Sequence, residues 1–98
     1  MTPQQLSDWL EIVTPPTPVR ISGHTYFLLH QFRMAFFVHC VFYDVPRKEY
    51  TWFIIENNVL YEQRFNQAKR YSSYREMICD VASHFTMYPP PSPGFAAT

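Results

Sequence analysis

An α+β fold, an antiparallel meander of about five strands flanked by an N-terminal and a C-terminal helix, is predicted from three observations. Apolar residues recur at helical spacing only near the two ends of the chain. Between residues 19 and 65 they gather in blocks rich in Phe, Val, Ile and Tyr. The breaks between those blocks are short and carry Gly, Pro and Asn, which makes neighbouring strands antiparallel.

The first helix starts at a capping signal. Thr2 stands at the cap position, Pro3 at the first helical position and Gln5 where a capping box places its partner. Leu6, Trp9, Leu10 and Val13 then form one apolar stripe. The run Thr14-Pro15-Pro16-Thr17-Pro18 ends the helix, because proline lacks an amide donor and drives its predecessor out of helical geometry. It reads as a stiff extended connector.

Strand periodicity follows. Residues 19–21 and 24–32 make a hairpin around Ser22-Gly23. Residues 35–44 form the next strand, the loop 45–49 returns the chain, and residues 50–56 form the fourth. Asn57-Asn58 is a turn signal, since Asn tolerates the left-handed region, and residues 59–65 are expected to complete the meander. The second helix starts at Ser73, with Glu76 at capping-box spacing, and buries Tyr74, Ile78, Val81, Ala82 and Phe85. At 98 residues the chain is one domain, expected over 1–88, and the Pro-rich residues 89–98 are expected to be a flexible tail.

Composition excludes several classes. The chain is 47% hydrophobic and 16% charged with zero formal net charge. It therefore lacks the profile of a disordered chain and the basic excess of a general nucleic-acid or membrane-surface binder. The longest apolar stretch, 27–43, is interrupted by His30, Gln31, Arg33 and His39, which bars it from crossing a bilayer as a helix. Two cysteines, Cys40 and Cys79, are too few for a disulfide-built secreted domain, and the polar, acidic residues 1–13 are not expected to act as a cleavable apolar leader. A cytoplasmic location with reduced thiols is the expectation.

Two strands are apolar on both faces. Phe36, Val38, Cys40 and Phe42 oppose Phe37, His39, Val41 and Tyr43, while Tyr50, Trp52 and Ile54 oppose Thr51, Phe53 and Ile55. Two short helices cover about one face of such a sheet. The second face then needs a helix of its own, a strongly curled sheet, a second copy, a protein partner or a small ligand. Tyr and Trp suit an interface, since they join apolar area to a polar tip. The leading functional expectation is thus a small non-enzymatic interaction or regulatory module. It binds a protein partner, or itself as a homodimer, through an aromatic sheet face at Phe37, His39, Tyr43, Tyr50 and Trp52.

The alternative is an anion site for single-stranded nucleic acid or a phosphate group at Arg64, Lys69, Arg70, Tyr71 and Arg75, beside the start of the second helix. Asp80 and His84, four apart on that helix, have the spacing of a general acid–base pair, although a surface ion pair is the commoner use of it. No catalytic residues are assigned. His24, His30, His39 and His84 with the cysteines show no metal-ligand spacing; His24 and His30, on one strand face, stand about 20 Å apart by strand rise. Two glycines exclude phosphate-cradling loops, and no cofactor is expected. Pro15 to Arg20 and Pro90 to Pro93 match proline-module ligand patterns but read as linker and tail.

Overall fold

The computed structural model describes residues 2–34, 36–56, 59 and 62–85. The Asn57-Asn58 turn and the tail 89–98 lie outside them. Eight elements follow in chain order: α1 (Pro3–Trp9), β1 (Glu11–Ile21), β2 (His24–Met34), β3 (Phe37–Asp44), β4 (Glu49–Glu56), α2 (Glu62–Asn66), β5 (Arg70–Tyr71) and α3 (Tyr74–His84). The five strands form one antiparallel sheet in the order β1-β2-β3-β4-β5. The α+β meander between two terminal helices is the fold that the sequence predicts. Among the described residues no helix is long and apolar enough to cross a membrane.

The first helix carries the full capping box. The Gln5 amide donates to Thr2 Oγ1, and the Thr2 amide donates to Gln5 Oε1. It ends at Trp9, earlier than the stripe to Val13 suggests, because Leu10 turns extended and Ile12 pairs with His30. The proline run is strand rather than connector. β1 is an edge strand, where prolines cost no ladder bond on the solvent side, and the pairing register breaks between Ile12 and Thr17 around them. The Ser22-Gly23 hairpin has positive φ at both turn residues, 53° and 79°, as a primed two-residue turn requires.

Two departures from the expected strands decide how the faces are used. In β2 the register shifts between Leu28 and His30, so Leu29 is a bulge that exchanges the faces. Tyr26 and Leu28 pack on one side of the sheet, whereas Phe32 packs on the other. His24 and His30 therefore lie on opposite faces, correcting the expectation that they share one.

The second departure is the fifth strand. Val59 bridges to Glu56, but Glu62–Asn66 form α2, and among the described residues pairing with β4 resumes at Arg70–Tyr71, opposite Thr51 and Tyr50. The expected strand over 59–65 is thus replaced. Its residues Glu62-Gln63-Arg64 favour helix and include no β-branched side chain.

Both sheet faces are covered within the chain. On one face α1 and α3 bury Leu6, Trp9, Leu10, Met77, Ile78 and Ala82 against Phe32, Val41 and Tyr71. On the other, Phe65 of α2 is fully buried among Tyr26, Phe42 and Phe53, with ring centroids 4.8, 5.3 and 5.1 Å away. The Ser22 hydroxyl ties the first hairpin to Glu62 and Asn66 of α2. The two-sided apolarity of β3 and β4 is answered by helices on each side. α3 begins on Ser73, whose hydroxyl accepts from the Glu76 amide, but its box is open: the Glu76 carboxylate takes the Ser72 hydroxyl.

Candidate functional site

Register places Phe37, His39, Tyr43, Tyr50 and Trp52 on one sheet face, as the sequence suggests, yet it is the face beneath α1 and α3. The helices leave one end of it open. There Phe37 is 40% and Ile54 44% exposed, and Phe36, next to Phe37 in sequence, is 74% exposed. Ile54 pairs with His39 and Trp52 with Val41.

At the floor of this end the His39 ring stacks on Phe32, centroids 4.4 Å apart and planes within 5°. Trp52 and Phe85, at 5.8 and 5.7 Å, close its sides. The Trp52 indole N–H donates to His39 Nδ1 at 3.2 Å. Burial drops the His39 pKa to about 4, so the ring is neutral at pH 7.

Two adjoining cavities share His39, Trp52 and Ile54 as a common wall. One, of about 470 Å³, extends towards Phe37, Glu56 and Arg64. The other, of about 460 Å³, extends under α3 to Phe85 and Val81, with Lys69, Tyr71, Asp80 and His84 around it. Both have the size of ordinary ligand or side-chain sites and are walled by aromatic and aliphatic groups.

Three of the five expected partner-binding residues, Phe37, His39 and Trp52, meet here. Tyr43 and Tyr50 do not. Their rings pair with each other at 4.7 Å, Tyr50 reaches Tyr74 of α3, and Tyr43 lines a separate cavity of about 360 Å³ with Phe27 and Val45. The groove also uses Ile54 and Phe85. Ile54 was legible from its alternation with Trp52; Phe85 reaches the site only through the docking of α3.

The five anion-site residues are not brought together. Arg70 and Tyr71 are strand neighbours, and their side chains point to opposite faces. The Arg70 guanidinium donates to Thr51 Oγ1 at 3.0 Å and to the Phe65 carbonyl at 3.3 Å, and it lies 4.9 Å from the Phe65 ring centroid. It holds α2 to the sheet. On the other face Asp80 accepts from the Tyr71 hydroxyl at 2.7 Å and from Lys69 Nζ at 3.2 Å. Burial and this bond push the Tyr71 pKa up to about 12, while the Tyr71 and Lys69 bonds lower that of Asp80. Arg64 lines the first cavity, and Arg75 lies beside α1 near Ser7 and Cys79.

Asp80 is thus engaged by Tyr71 and Lys69, and His84 Nδ1 lies by Ser83 Oγ at 3.2 Å; the two make no hydrogen bond with each other. Cys40 is buried and Cys79 exposed, both as free thiols. His24 is bonded to the buried Asp44 at 2.9 Å, and among the described residues no three His, Cys, Asp or Glu side chains converge on a metal position. Comparison with family models, with curated proteins and with solved structures finds no match to this chain.

Proposed function

We propose that this chain is a non-enzymatic protein-interaction module that binds a protein partner at the open aromatic end of its helix-covered sheet face. The observation that carries the reading is the conjunction at one place of exposed Phe37 and Ile54 with two apolar cavities walled by His39 and Trp52. Exposed large apolar groups at a concave, aromatic-walled site are the anatomy of an interface core. The free thiols Cys40 and Cys79 support work in the reducing cytoplasm.

This reading keeps the interaction function expected from the sequence and relocates its surface. The homodimer loses its main motive, since Phe65 already covers the second face. The anion reading loses Arg70, which is spent on Thr51 and the Phe65 carbonyl.

The test is affinity capture from the native source with the wild-type chain beside Phe37→Glu and Ile54→Glu. Both positions are solvent-exposed, so each variant is expected to keep its melting temperature within a few degrees. Proteins retained by wild type and lost by both variants are the expected result. An identical set retained by all three would remove the groove as the interface. Light scattering on a sizing column accompanies it: a wild-type dimer that both variants convert to monomer would make the partner a second copy.

A further inference from the structure

The groove holds one polar group whose bonding is half complete. His39 is only 7% exposed, and its Nδ1 is occupied by Trp52 Nε1, a nitrogen that can only donate. The neutral ring therefore carries its proton on Nε2, and among the described residues Nε2 has no hydrogen-bond partner. The sealed and unpartnered polar side-chain atom among those residues is Nδ1 of His30, so Nε2 of His39 is not sealed, and its ring lines both cavities. The stack on Phe32 and the contacts with Trp52 and Phe85 hold the ring in place. A fixed N–H at an apolar wall is a position that an acceptor should occupy, because a donor left dry when the groove fills costs about 1–3 kcal/mol.

We propose that the occupant is an apolar stretch of a partner polypeptide whose main-chain carbonyl accepts the His39 Nε2–H bond while its flanking side chains fill the two cavities. The proposal rests on the interaction reading above and adds the chemistry that is recognised. Charge argues for an uncharged acceptor. The donor itself is neutral, the cavity charges balance, with Arg64 and Glu56 lining one and Lys69 and Asp80 the other, and the wall between them is the apolar Trp52 and Ile54. Arrangement argues for a chain. Two cavities of about 470 and 460 Å³ meet at the wall that carries the donor, which suits side chains on both sides of one carbonyl.

The experiment uses apolar peptides of about nine residues, selected on the wild-type protein from a displayed random library. Each is remade with one main-chain amide at a time replaced by an alkene isostere, which removes the carbonyl without adding a charged amine. Removal at one position is expected to weaken binding to wild type by about tenfold and to leave binding to His39→Phe unchanged. His39→Gln, whose amide can both accept from Trp52 and donate, should recover part of the loss. The His39 Nε2 proton followed by NMR decides the matter without a variant: it moves downfield when peptide binds.

An unmoved Nε2 proton, with no carbonyl whose removal depends on His39, overturns the inference; if Ile54→Glu still abolishes peptide binding, the groove reading survives it. Peptides that bind Ile54→Glu as well as wild type overturn both. If N-acetyl-leucine methylamide binds in a His39-dependent way while no peptide does, the site takes a small amide and the polypeptide occupant is wrong.

Discussion

Acidification should destabilise this protein well before its carboxylates titrate, and His39 is the reason. Its ring lies between Phe32, Trp52 and Phe85, and burial lowers its pKa from 6.5 to about 4. As pH falls through 6.5 the unfolded chain takes up a proton that the folded chain refuses until about pH 4. Stability is therefore lost across that window and the loss levels off below it. The full difference corresponds to roughly 3 kcal/mol, of which about 2 kcal/mol falls between about pH 7.5 and pH 5. Protonation would also place a second donor on Nδ1 against the Trp52 N–H.

Urea melts followed by tryptophan fluorescence measure this, and a loss of that size moves the midpoint by about 1–2 M. His39→Gln should lose most of the acid dependence. A smaller slope should remain from His30, whose pKa burial also lowers. An equal acid slope in wild type and His39→Gln, or a His39 ring that titrates near 6.5 by NMR, would show that burial of His39 does not set the acid limb.

Three further outcomes follow from the packing. Phe65→Ala should cost about 3–5 kcal/mol, since it empties the second face among Tyr26, Phe42 and Phe53; a loss below about 1 kcal/mol in urea melts would show that α2 is not what closes that face. Arg70→Ala should cost about 2 kcal/mol, because Thr51 and the Phe65 carbonyl lose a charged donor, whereas Lys69→Ala, at an exposed pair, should cost under about 1 kcal/mol. Equal small losses would return Arg70 to the pool of surface cations. Wild type should lose stability as pH rises from about 10 towards 12, where the unfolded chain ionises Tyr71 before the folded one; Tyr71→Phe should flatten this alkaline limb, and an unchanged limb would argue against the Asp80 bond.

The elements legible in the sequence are those whose signals are local. The Thr2–Gln5 box, the Ser22-Gly23 turn and the start of α3 at Ser73 each depend on side chains within a few residues of the backbone they serve. What was hidden is tertiary. Phe27-Leu28-Leu29 is uniformly apolar, so no alternation betrays the bulge that exchanges the faces of β2. The prolines of β1 bar a helix or a central strand, and only the sheet order reveals that they sit on an edge. Val59 does start back along β4, but the helix-forming residues after it and the space that Phe65 fills on the second face outweigh the hairpin.

The site shows the same division. The shared face of Phe37, His39 and Trp52 follows from strand parity, and their register bears it out. Which end of that face the helices leave open does not, because it depends on where α3 stops, at Phe85 over His39. Arg70 reads as an exposed cation for the same reason: its partners Thr51 and Phe65 become neighbours only when β5 pairs with β4.

Isoleucine methyl NMR of the whole chain, titrated with the captured partner, shows whether the groove at Ile54 is where the partner binds. The chain has isoleucines at 12, 21, 54, 55 and 78, and they sample the far edge, both cores and the groove. A saturable shift is expected at Ile54, with the exposed Ile12 and the buried Ile21 and Ile78 unmoved. A partner that shifts Ile12 and leaves Ile54 in place would contradict that placement of the interface.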